Sequence, residues 1–149
     1  MKKTTSPNGF TLIELIIVMV ILGIMAAVAV PRYLDSIANA EESAEDAVIS
    51  AVRNGLKQYA NNSLVDNGRA TWPTNPFDAL SEKPAGYTND DSYADEDGEW
   101  TYKVYDDGIG EISHQRADNS RYVWSYNAGT QDGDDAVIGE LGERAPLYE

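Results

Sequence analysis

The sequence predicts an α+β protein, with one long N-terminal α-helix, kinked at Pro31, packed against a small antiparallel β-sheet. Three observations carry that prediction. Phe10 to Val30 hold a single charged side chain, Glu14, in 21 positions. Helical periodicity continues beyond them to about Asn61. From Trp100 onward, short alternating segments separated by turn signals take over.

Composition narrows the function before any motif does. The 149 residues make room for about one domain. Eleven Lys and Arg against 25 Asp and Glu leave a net charge of -14, which repels phosphate backbones, so nucleic acid is not an expected partner. The absence of cysteine excludes disulfides, thiolate zinc sites and cysteine nucleophiles. The single histidine, His114, excludes a His-rich metal cage and counts against a Ser-His-Asp hydrolase. It reads as a surface or strand histidine with no catalytic role. No enzymatic constellation assembles, and the chain is not expected to be an enzyme. Charge is unevenly spread, with 19 acidic and 6 basic residues between Asp66 and Glu149.

The first element is the apolar run. A bilayer core about 30 Å thick needs roughly 20 apolar helical residues, which Phe10 to Val30 supply. Lys2 and Lys3 precede it, and the positive-inside tendency sends the acidic remainder across the membrane. A removable secretory signal with an exit at Ala27-Val28-Ala29 is the alternative. The polar stretch Thr4 to Gly9 and the acid inside the run count against it. An acid at mid-membrane costs about 2.5–3.5 kcal/mol and calls for a partner.

Lys2-Lys3, then Gly9-Phe10-Thr11-Leu12-Ile13-Glu14 and a long apolar helix, resembles the prepilin signature of type IV pilins and type II secretion pseudopilins. The match covers about the first third of the chain. It implies cleavage after Gly9 by a membrane-embedded prepilin peptidase, methylation of the new amine on Phe10, and a buried acid at Glu14. It also implies the pilin fold. Chemistry agrees with these roles. Glycine offers a protease an unobstructed backbone. The new amine, with a pKa near 8, is mostly cationic. Glu14 lies about 6 Å along the helix from it, and the amine of a neighbouring subunit would relieve the cost of burying the acid.

The second element continues the helix. Tyr33, Ile37, Ala40, Ala44, Val48, Ala51, Gly55 and Tyr59 recur at helical spacing and mark the face expected to pack on the sheet. Pro31 removes a backbone donor and crowds the carbonyl of Ala27, which predicts the kink. Gly23 and Ala26-Ala27 add weak or close-packing positions. In the family this resembles, the stretch matching Gly23 to Pro31 often loosens on assembly. The chain thus divides into a leader (1–9), a transmembrane and filament-core helix (10–30), an amphipathic helix (31–62) and an acidic β-rich head (63–149).

The head begins with loops through Trp72-Pro73 and Lys83-Pro84-Ala85-Gly86. The acidic tract Asn89 to Glu99 reads as a solvated loop. Strands follow at Trp100–Tyr105, Ile109–Gln115 and Arg121–Tyr126, with turns at Asp107-Gly108 and Ala117 to Ser120. Tyr87, Trp100, Tyr102, Trp124 and Tyr126 read as core. Trp124-Ser125, Ala128-Gly129, Gly133 to Gly139, Ala79-Leu80 and Lys83-Pro84 are similar to major pseudopilins, in which acids of the matching loop help bind calcium. The Asp-Pro-Trp-Gly segment usual in those proteins is absent. Asp132, Asp134 and Asp135 crowd three carboxylates around Gly133, and oxygen ligands suit Ca2+, the one cofactor considered.

The expected function is a structural filament subunit, polymerised through its N-terminal helix into a type IV pilus. Expected partners are identical or related subunits, prepilin peptidase/methylase, inner-membrane assembly machinery and, before assembly, the membrane. The expected location is the inner membrane with the head in the periplasm, then the cell surface or a periplasmic pseudopilus. A type II secretion pseudopilin and a monomeric membrane-anchored binding module are the alternatives.

Overall fold

The computed structural model describes residues 9–106, 108–130 and 138–147. One helix, α1 (Leu12–Asn67), runs through Pro31. The chain divides into one unit up to Glu42 and a second from Ser43. Within the first unit the apolar side chains of α1 lie exposed from Leu12 to Leu34. This helix is long and apolar enough to cross a membrane by length and composition.

In the second unit α1 presents Glu45, Ile49, Val52, Leu56, Ala60 and Ser63 to the interior. That face lies one position on from the stripe expected from sequence. Tyr59 and Ala51 are exposed, and Val48 and Gly55 lie at the edge. The Ile49–Val52–Leu56 row carries an acid, Glu45, at its start. The tertiary structure neutralises that acid, so the bulkier row is the one buried. The helix also outruns Asn61-Asn62-Ser63. Ser63 is buried, with its hydroxyl 3.0 Å from the Arg69 carbonyl. The true stop is Gly68 at φ 72, whose N–H donates to the Leu64 carbonyl.

Strands β1 (Trp100–Asp106), β2 (Ile109–Gln115) and β3 (Arg121–Asn127) form the antiparallel meander expected from sequence. Asn119 at φ 64 makes the second turn, supported by Asp118 accepting from the Ser120 N–H. Two further short strands complete the sheet without a local sequence signal. β4 (Glu140–Leu141) and β5 (Ala145–Pro146) both pair with β3 along its outer edge. Two residues each carry no periodicity to detect. Between them Gly142 donates to the Ser125 carbonyl, and a Cβ there would fall 2.2 Å from Ser125 Oγ.

The core joins Ile49, Val52 and Leu56 to Phe77, Trp100, Tyr102, Ile112, Trp124 and Tyr126. Trp100 stacks between Trp124 and His114 at centroid distances of 5.6 and 4.2 Å. Phe77 comes from a 3-10 turn, Pro76–Ala79, started by Asn75 Oδ1 accepting from the Phe77 N–H. That turn lies so close to α1 that a Cβ on Gly55 would meet the Ala79 carbonyl oxygen at 2.7 Å.

The acidic tract is a cover as well as a solvated loop. Its charges at Asp90, Asp91 and Asp95 to Asp97 are exposed, yet Ala94 is fully buried. The Ala94 N–H donates to Ser113 Oγ and Thr101 Oγ1 donates to the Ser92 carbonyl, so the second face of the sheet is sealed. Glu99 holds the tract by accepting from the Asp95 and Glu96 amides. With both faces covered, β2 buries Ile112 through Gln115 without alternation. Phe77→Ala should cost about 3–5 kcal/mol. A lowered urea midpoint, followed by tryptophan fluorescence in detergent micelles, is the check; an unshifted midpoint would contradict this packing.

Candidate functional site

Two polar arrangements stand out, one in each unit. In the first, α1 starts with a reciprocal cap. The Thr11 N–H and hydroxyl donate to Glu14 Oε2 at 2.8 and 2.7 Å, and the Glu14 N–H donates to Thr11 Oγ1 at 3.3 Å. This capping box satisfies helix-start donors that would otherwise lack partners. Glu14 therefore has a local structural role that an anchor alone could use. The Thr-x-x-Glu spacing of Thr11 and Glu14 is the local sequence signal of this box.

Gly9 and Phe10 immediately precede this turn. Phe10 is 88% exposed, and nothing lies within 4 Å of a Cβ placed on Gly9. The geometry thus brings Gly9, Phe10 and Glu14 into one short segment with an accessible backbone. Gly23 and Pro31 sit farther along α1 and do not join it; Gly23 faces open space. Asp132, Asp134 and Asp135 lie outside the described residues. Among the described residues no three His, Cys, Asp or Glu side chains are placed to hold a metal.

The second arrangement surrounds Glu45, which has no exposed surface. Arg116 grips it in a fork, Nε to Oε1 and Nη2 to Oε2, both at 2.6 Å. His114 Nδ1 lies 3.0 Å from Oε1, and Arg144 Nε lies 3.3 Å from Oε2. Arg144 also pairs with Asp46. The Arg116 guanidinium lies over the Tyr122 ring at 4.0 Å. Burial alone would raise the Glu45 pKa. Hydrogen bonds and charge from Arg116 and His114 outweigh burial and hold it at about 2. An ionised carboxylate only accepts, so His114 Nδ1 carries the proton. His114 is therefore a strand histidine, as read, but buried. The cluster joins α1, β2 and the C-terminal segment; its sequence signal was an acid within an Ile–Val–Leu row.

Residues 6–30 match the model of the prokaryotic N-terminal methylation motif. Beyond that motif the chain is similar to type IV pilins and to type II secretion pseudopilins. It is 35% identical over 88 residues to the type II secretion system core protein G of Aeromonas hydrophila, covering 59% of each chain. It is 54% identical over 46 residues to the type IV narrow pilus major component PilA5 of Thermus thermophilus, covering 31% of this chain and 40% of that one. It is 44% identical over 80 residues to the type IV major pilin protein PilE1 of Neisseria gonorrhoeae, covering 54% and 45%. The chain spans 40% to 59% of the length of these relatives. No solved structure matches it.

The Glu45 cluster generates a pH dependence. With its folded pKa depressed, the contribution of Glu45 is fully present above its unfolded value near 4.5 and is lost as pH falls towards about 2. Glu45→Gln should therefore unfold more easily than wild type at neutral pH, by about 3 kcal/mol. The gap should narrow between pH 4.5 and 2. Urea titrations at a series of pH values check this; a constant gap would show that ionisation of Glu45 contributes nothing.

Proposed function

We propose that this chain is a structural subunit of a type IV filament. It is cut after Gly9, methylated at Phe10 and polymerised through its N-terminal helix into a type IV pilus. One observation carries the reading: Gly9 and Phe10 stand exposed at the start of an apolar helix that no part of the first unit covers, within the matched methylation motif. Exposed apolar side chains from Leu12 to Leu34 require lipid before assembly and neighbouring helices after it. The subunit serves as building material, with no catalytic step of its own. Gly23 and Pro31 supply the weak stretch at which the helix adjusts, and Glu14 pairs with the amine of a neighbouring Phe10.

A second reading is favoured by the similarity to core protein G, which covers more of this chain than the other two relatives described. In it the same processing leads to a periplasmic pseudopilus of a type II secretion system. Both readings place the unprocessed chain in the inner membrane with its acidic head in the periplasm. Deleting the chain separates them: loss of surface filaments by electron microscopy supports the pilus. Loss of secreted proteins with surface filaments intact supports the pseudopilus.

Intact-mass analysis of the membrane-extracted protein should show a chain starting at a methylated Phe10. A start at Val30 or an uncut Met1 would overturn the processing. The capping box makes a sharper test of Glu14. Glu14→Gln keeps a residue able to complete the box but removes the charge. Filaments should be lost with Glu14→Gln as with Glu14→Ala, while processing persists. Normal filament counts with Glu14→Gln would reduce Glu14 to a helix cap.

A further inference from the structure

A surface feature confined to the second unit does not depend on the filament reading. Where the acidic tract meets the end of β1, a cavity of ≈ 300 Å³ is walled by Thr74, Asn89, Asp90, Asp91 and Tyr102, among others. That is the lower end of the size range of small-ligand sites, about 300–1,000 Å³. Tyr102 is only 4% exposed, and its hydroxyl is buried with no hydrogen-bond partner among the described residues. A buried polar group left in that state costs roughly 1–3 kcal/mol, so it points to an occupant of this wall. Burial and the nearby Asp91 charge push the phenol up to about 12, so it stays a protonated donor at neutral pH.

The remaining walls define the chemistry. Asp91 spends Oδ1 on the Val104 N–H, which anchors the loop to β1 and leaves Oδ2 as an acceptor. Asp90 and Thr74 make no hydrogen bond among the described residues. Asn89 Oδ1 accepts from Tyr87, whose hydroxyl in turn accepts from Asn75, so the Asn89 amide is held with its Nδ2 donor available. The site therefore offers carboxylate acceptors beside O–H and N–H donors. Among the described residues no three His, Cys, Asp or Glu side chains gather here, and a metal ion, which only accepts electron pairs, would leave the O–H and N–H donors idle. An ammonium group can only donate, and it would leave the donors idle. A hydroxyl both donates and accepts, and two adjacent hydroxyls satisfy both sets at once.

We propose that this cavity binds a polyhydroxylated ligand the size of one sugar residue, its hydroxyls donating to Asp90 and Asp91 and accepting from Tyr102 and Asn89. The ligand is a hexose-like unit, free or at the end of a glycan. The cavity opens on the surface of the second unit, where a filament subunit could display it.

Saturation-transfer NMR on the full chain in phosphocholine micelles tests this, with D-glucose, D-galactose and D-mannose as probes and calcium chloride and putrescine as comparators. At least one hexose should receive saturation. Tyr102→Phe removes only the hydroxyl and should weaken that binding roughly tenfold, the worth of one hydrogen bond to a buried group, without lowering the melting temperature. Asp91→Asn keeps an oxygen for the Val104 N–H and should weaken binding at least as much. Saturation of no hexose by the wild-type chain would overturn the proposal. So would hexose signals unchanged in both variants, or calcium or putrescine binding here while the hexoses stay silent.

Discussion

A carboxylate with no exposed surface, Glu45, is the constraint on which the second unit depends. An isolated buried charge is untenable, so its partners must be in place whenever the unit is folded. Those partners come from different parts of the chain: His114 and Arg116 from the end of β2, Arg144 from the segment between β4 and β5. Satisfying one side chain thus sets the register between the helix, the meander and the C-terminus. Packing of Ile49, Val52 and Leu56 against the aromatic core supplies apolar burial, which is additive and undirected. The ion cluster adds direction. A one-residue slip of the helix would keep apolar surface buried but strand a charge.

The same economy appears at the other end of the helix in reverse. From Leu12 to Val30 every side chain of α1 but Glu14 is apolar and exposed, a surface that water does not tolerate. The only acid between Leu12 and Val30, Glu14, is used locally, closing a capping box with Thr11. That cap starts the helix without help from any packing. It also holds the acid within one turn of Phe10, where cleavage after Gly9 would create a cation. One residue can thus serve the isolated chain as a cap and an assembly as a charge partner, and the two roles do not compete for the same interaction.

The acidic tract shows how a charged, turn-rich segment can be structural. Its charges face water, while its small residues and backbone seal the second face of the sheet through Ser92, Ala94, Thr101 and Ser113. Glu99 gathers the loop's amides, and Asp91 occupies the outward N–H of Val104. An edge strand that would otherwise offer unpaired donors is thereby blunted. The cavity beside Asp91 lies where this loop is anchored to β1 next to the buried Tyr102.

By itself the sequence determined the long helix, the three strands of the meander with their turns, and the segment from Gly9 to Glu14. Each is written in local signals: an uncharged run, alternation between turn residues, and a fixed spacing along one helical turn. Only the tertiary structure decided which face of α1 is buried, because that choice depends on whether Glu45 finds Arg116 and His114, some 70 residues away. The same holds for β4 and β5, which are too short to carry a period and exist because β3 has an open edge. It holds too for the covering role of the acidic tract, whose composition reports solvation while its hydrogen bonds report position. Local periodicity records what a segment prefers. A buried charge, an edge and a seal are properties of pairs of segments, and a pair is defined only once the chain has folded.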